Sequence, residues 1–273
     1  MHPYIRYKLR DWVDIDKLEW SWLSKNPNAT DLLQQYPHKI DWNWLSENPA
    51  AMPLLQQYPE HIQWSALSMN PAAISLFKTH TNKEDWPPWL SENPSAIHLL
   101  RQNPDIIDWN LLSSNPGAIN LLEQTPDKIY WQWLSVNPSA IHLLEKHPDK
   151  INWDYLSANP SAIHLLEQHP DNIDWDMLSK NPNAIHLLHK NPDKINWDYL
   201  SANPAAISLL EKHPEKIRWY AFSTNPSAFV EEYNYQQLKQ RMHRSFAEEL
   251  FKVTLHPSRI EKFLEAGGDI DDI

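Results

Sequence analysis

Four histidines, His98, His142, His164 and His186, occupy the same place in recurring IHLL segments. Imidazoles in register are raw material for a metal site. Stacked repeats hold such rings roughly 9 Å apart, whereas zinc needs nitrogens at about 2 Å, so the spacing speaks against a metal. A second set, His147, His169 and His213, stands just before a proline and reads as a helix end. Protonation of both sets near pH 6 is expected to weaken the stack. Serine with asparagine two residues on, as Ser157 with Asn159, would suggest a nucleophile and its partner if met once. Met in every unit, the pair reads as caps and inter-repeat hydrogen bonds, because function resides in sites and not in scaffold repetition.

The units are counted from the proline of a recurring Asn-Pro pair, taken as position zero. That proline falls at 27, 49, 71, 94, 116, 138, 160, 182, 204 and 226, a step of 22 residues with a single step of 23. Position −5 then reads Trp22, Trp44, Ala66, Trp89, Leu111, Trp133, Tyr155, Met177, Tyr199 and Ala221. Trp and Tyr are favoured interface anchors, so Trp22, Trp44, Trp89, Trp133, Tyr155 and Tyr199 form a candidate contact strip. The competing reading packs each against the next repeat. The histidines at +4, His98, His142, His164 and His186, mark a second candidate surface on the outer stripe of the helix.

No HExxH, glycine-rich phosphate loop, GxSxG elbow or convincing acid–base pair occurs. The expectation is a non-enzyme with no metal and no cofactor. The chain has no Cys, which removes disulfides, thiolate zinc sites and a Cys nucleophile. Its formal net charge is −11, a disadvantage against phosphate backbones. There is no apolar N-terminal core of signal-peptide length and no apolar run of about 20 residues. A soluble intracellular protein is expected.

What must position these residues is the repeat: W(−7)xxL(−4)S(−3)xN(−1)P(0)xA(+2)I(+3)xL(+5)L(+6)xxxP(+10)xxI(+13). Asn(−1) is a good N-cap and Pro(0) suits the first helical position. Ala(+2), Ile(+3), Leu(+5) and Leu(+6) share one face, and Pro(+10) stops the helix. The motif predicts a main helix of about nine residues and a short helical turn from Trp(−7) to Ser(−3). Asp41, Asp108, Asn152, Asp174 and Asn196 are placed to cap that turn. Helices this short persist only by stacking. The Trp(−7) column, with about 200 Å² to bury per residue, is expected to supply much of that stacking.

The fold expected is all-α, an α-solenoid of about ten units drawn out as a rod or arc of roughly 80–100 Å. An N-terminal cap covers 1–19, the repeats 20–227, and a C-terminal helical cap with an acidic tail 228–273. Within that cap, Glu231–Leu255 reads as an amphipathic helix, followed by another after Pro257. One unit breaks the pattern: Thr81 replaces the second proline, one residue is inserted, and a kink or lengthened loop is expected there.

The segments LSENPSAIHLL, LSANPSAIHLLEQHPDNIDW and LSKNPNAIHLLHKNPDKINW resemble the short NPxAIxLL repeats numerous in giant DNA viruses of amoebae and algae. The ends, YKLRDWVDIDKLEW and HPSRIEKFLEAGGDIDDI, are similar to the ends of those viral proteins. The resemblance implies a viral origin, in a host cytoplasm or virion, and a helical repeat fold. It implies no activity.

Three functional readings follow. The first is a protein-interaction scaffold with a host or viral protein partner, of which a self-assembling structural protein is a variant. The second is a modular binder of single-stranded nucleic acid, with −5 aromatics stacking bases. Against it, Lys and Arg total 24 and Asp and Glu 35, and Lys128, Lys150 and Lys194 each follow an Asp. The third, an enzyme, has no support beyond the histidine columns.

Overall fold

The computed structural model describes residues 5–79 and 86–233. The chain divides into two compact units, residues 9–230 and residues 1–8 with 231–273. The larger is an all-α repeat solenoid. Thr81 and its insertion, and the chain beyond Tyr233, lie outside the described residues, and with them the expected kink and C-terminal helices. Within the described residues Phe229–Tyr233 is a strand, β2, which corrects the start of the expected helix at Glu231. It pairs in a two-stranded sheet with β1, Ile5–Leu9. In the smaller unit the Tyr7 hydroxyl donates to Glu231 at 3.3 Å, and Lys8 lies 3.8 Å from Glu232.

Each regular unit holds three helical pieces where two were expected. The first is a short helix starting at Trp(−7), as in Trp131–Val136 and Trp175–Lys180. Asp41, Asp108, Asn152, Asp174 and Asn196 cap such helices by accepting backbone N–H groups two or three residues on. The main helix is not one nine-residue element. Pro(0)–Ala(+2) makes a 3-10 turn in most units, as at Pro182–Ala184, and a plain turn in the units of Pro138 and Pro160, and a six-residue α-helix follows, as at Ile185–Lys190. Ala(+2) joins them with ψ near zero. Pro(+10) ends the α-helix and also begins a third piece, a 3-10 turn such as Pro192–Lys194, where its lack of an N–H costs nothing.

The sealed core is Leu(−4), Ala(+2) and the +6 residue. Leu134, Ala140 and Leu144 have no exposed area, nor do Leu156, Ala162 and Leu166 in the next unit. The Trp(−7) column is not the buried spine expected. Trp64 is 40% exposed and most of the others are half-buried, because each leans on its own unit's third piece. Trp131, Trp153 and Trp197 meet His147, His169 and His213 at 5.0–5.5 Å, and Lys194 and Lys216 sit over Trp175 and Trp197.

What joins the units is polar and buried. The Nδ2 of each Asn(−1) donates to two carbonyls of the preceding unit, those of its Ser(−3) and Asn(−1). Asn137 reaches Ser113 at 3.0 Å and Asn115 at 2.9 Å. Its Oδ1 accepts the N–H of Ser139 at 3.0 Å, so one side chain caps its own unit and binds its neighbour. Ser(−3) does likewise: Ser135 Oγ donates to the Trp131 carbonyl and accepts the N–H of Asn152 in the next unit. Buried polar groups are tolerable only when satisfied in this way. Among the described residues the buried side-chain polar atoms left without a partner are the indole nitrogens of Trp12 and Trp86.

The chain of asparagines has no end. Asn26 of the first unit donates to Ser223 at 3.0 Å and to Asn225 at 2.9 Å in the tenth. Glu19 N–H donates to Ser223 Oγ, and Asn28 Nδ2 donates to the Pro226 carbonyl as Asn183 Nδ2 does to Pro160 inside the stack. The larger unit is therefore a closed ring of ten repeats, not an open rod or arc. The N-terminal segment completes the tenth repeat. Its 3-10 turn Ile15–Lys17 takes the place of the third helical piece, and Lys17 sits over Trp219 as Lys216 does over Trp197. Arg10 ties the junction through its N–H to Ala228 and its Nε to Ser227, at 3.0 and 2.7 Å.

Candidate functional site

Closure gives the repeat columns different radii. In a ring, elements at smaller radius are closer together. The Trp(−7) helices of neighbouring units pack side by side, while the six-residue α-helices stand further apart. The −5 side chains belong to the crowded layer. Trp22 stacks on Trp44 with centroids 4.9 Å apart, and Trp133 meets Tyr155 edge-on at 5.5 Å. A concave wall follows, and one cleft draws its lining from four consecutive units, at positions −6, −5 and −2 and at Trp89.

Packing on the neighbouring unit is seen for the Trp22–Trp44 and Trp133–Tyr155 pairs, while Trp22, Trp89 and Tyr199 are 36%, 46% and 37% exposed. Trp44, Trp133 and Tyr155 are half-buried. Lysines at −2 lie over two of these rings. Lys25 Nζ is 4.7 Å from the Trp44 centroid, and Lys180 Nζ is 4.0 Å from that of Tyr199. Lys25 also pairs with Glu47 at 2.7 Å. The −2 column was missed in the sequence because its residue types vary, and only placement beside the aromatics gives it meaning.

The +4 histidines lie in the wider-spaced layer and are exposed. His142, His164 and His186 each place Nε2 2.9–3.0 Å from a carboxylate of the preceding unit, Glu123, Glu145 and Glu167. His98 is exposed as well, and the sequence places Lys78 where the other three have Glu. The column thus divides into three bridges and one different surface site. Among the described residues no three His, Asp or Glu side chains come together as metal ligands.

Of the Asp-Lys pairs at +11 and +12, Lys128 and Lys150 lie 4.0 and 3.6 Å from Asp127 and Asp149. Lys194 instead covers Trp175. One acid stands out. Burial pushes the Glu92 carboxyl above the usual carboxylate range; Lys25 opposes that rise and Glu47 adds to it. No helix among the described residues is long and apolar enough to cross a membrane. No protein-family model, curated protein or solved structure matches the chain.

Proposed function

We propose that this protein is a non-catalytic scaffold that holds a protein partner, viral or host, against the aromatic wall of its ring. The observation that carries the reading is the division of labour among positions. Asn(−1), Ser(−3), Leu(−4) and Ala(+2) are sealed into the fold, while aromatic −5 side chains keep exposed area on one concave layer. Large, rigid side chains of this kind supply contact area at little entropic cost. Closure also occupies the end surfaces that end-to-end self-assembly would use.

The test uses three baits in cell lysate, with and without nuclease. They are the natural chain, a variant with Trp22, Trp44, Trp133 and Tyr155 changed to Ala, and one with His142, His164 and His186 changed to Ala. Circular dichroism checks that each is folded. A stoichiometric protein that survives nuclease, persists with the histidine variant and is lost with the aromatic variant is the expected result. Recovery that nuclease abolishes would replace this reading with single-stranded nucleic-acid binding.

A further inference from the structure

The ring is fastened inside its tenth repeat, not between two repeats. In a regular unit the third helical piece follows its own six-residue helix along the chain, as Pro192–Lys194 follows Ile185–Lys190. In the tenth unit that piece is Ile15–Lys17, which arrives from the other end of the chain. The tenth-to-first joint itself keeps the regular bonds of Asn26 and of the Glu19 N–H. What stands in for the missing covalent link is the packing of residues 10–19 along the tenth unit.

That packing rests on few contacts. Arg10 donates its N–H to the Ala228 carbonyl and its Nε to that of Ser227. Trp12 meets Phe222 with centroids 5.6 Å apart. Lys17 Nζ is 5.2 Å from the Trp219 centroid, looser than the matching contacts of Lys194 and Lys216 at 4.3 and 4.6 Å. The Trp12 indole nitrogen is buried there without a partner, a cost that release would remove. A regular third piece that lifts off is held by short chain on both sides and falls back. When residues 10–19 lift off, the joint is free to part. Sub-global opening begins at the element held least.

We propose that residues 10–19 are a releasable strap, and that the ring opens by peeling them from the tenth unit. The Tyr220–Trp22 contact, 6.4 Å across the joint, parts with them, so the strap governs whether the aromatic layer runs across that joint. β1, before the strap, pairs with β2, after the tenth unit, which keeps the parted ends tethered for reclosure.

Residue-resolved amide exchange on the full chain tests this. Leu18 N–H bonds Ile15 at 3.2 Å and Glu19 N–H bonds Ser223 Oγ at 2.9 Å. The matching amides, Ile195 and Asn196, bond Pro192 and Ser179 Oγ at 3.5 and 3.0 Å. Bond length alone therefore makes the strap pair at least as protected. The strap predicts the reverse, with Leu18 and Glu19 at least about tenfold less protected. Arg10→Ala should lower protection at Leu18 and Glu19 several-fold more than at Ile195 and Asn196, with circular dichroism unchanged. Lys17→Gln, which removes only the ring contact, should act in the same direction and serves if Arg10→Ala does not fold. Equal protection of the two pairs in the natural chain would overturn the proposal, as would a variant that lowers both pairs by the same factor.

Discussion

If the ring is closed, its first asparagine must cost as much to remove as one in the middle. Asn137 donates at 3.0 and 2.9 Å to two carbonyls of the preceding unit and accepts the N–H of Ser139 at 3.0 Å. Asn26 does the same across the chain ends, at 3.0 and 2.9 Å to Ser223 and Asn225, and accepts from Asn28 at 3.0 Å. Both side chains are fully buried. Alanine removes a helix cap worth about 1 kcal/mol and leaves two buried carbonyls short of a donor, at about 1 kcal/mol each. Asn137→Ala is therefore expected to cost about 3 kcal/mol, and Asn26→Ala about the same.

In an open stack Asn26 would lose only its cap, about 1 kcal/mol. Urea denaturation followed by far-UV circular dichroism, with both variants beside the natural chain, reads the difference. Asn26→Asp sharpens it: the cap acceptor survives, both donors vanish, and a carboxylate meets two carbonyls with no solvent. That variant should cost more than Asn26→Ala. An Asn26→Ala cost near 1 kcal/mol beside an Asn137→Ala cost near 3 would refute closure.

Leu134→Ala empties a fully buried core position and should cost about 2–5 kcal/mol by the same urea assay, against under about 0.5 for Gln132→Ala on the surface. The His164–Glu145 bridge is half exposed on both sides, so a double-mutant cycle to Ala should return a coupling below about 1 kcal/mol that shrinks in salt. Glu92 has its folded value raised by burial, so the folded state holds that proton more tightly than the unfolded state does. Its stabilising contribution is complete below the ordinary value of 4.5 and is lost as pH rises through the raised one. Melting curves should show Glu92→Gln gaining on the natural chain as pH rises through that window; a constant offset from pH 3 to 8 would contradict this.

Much of the local structure is legible in the motif, because each cap is a short-range fact. Asn(−1), Pro(0) and the Asp or Asn before Trp(−7) act within three residues of themselves, and a single unit contains all they need. The sequence reading is incomplete where a residue does two things. Pro(+10) stops the α-helix, as its missing N–H predicts, and is also the first residue of a 3-10 turn. Trp(−7) is large and apolar, yet a turn carrying His or Lys covers only part of it, while the smaller Leu(−4) and Ala(+2) take the sealed interior. The candidate surface divides in the same way. The −5 aromatics share one layer, but the +4 histidines are held in another by glutamates 19 residues earlier, a pairing no single unit contains.

Closure was harder to see, because it depends on an accumulated angle. Ten steps in one turn require about 36° per unit, and an error of 3° per step would part the ends by about 30°. No side chain encodes a rotation that finely. What encodes closure is the complementarity of the ends. The tenth unit departs from the motif after Ala228, where Phe229 begins a strand instead of the AIxLL helix. Near the N-terminus, DKLEW at 16–20 matches the DKINW at 149–153 that ends a regular unit. Residues 15–20 have the form of the end of a repeat and take that place after the tenth. The free energy that selects the angle therefore lies in the junction itself. Two asparagine bonds, the Ser223 bond and the Arg10 contacts form only if the ring meets, and the small flexibility of nine other interfaces is drawn into register to make them. Weakening the junction should consequently loosen the concave wall everywhere, not only beside Asn26.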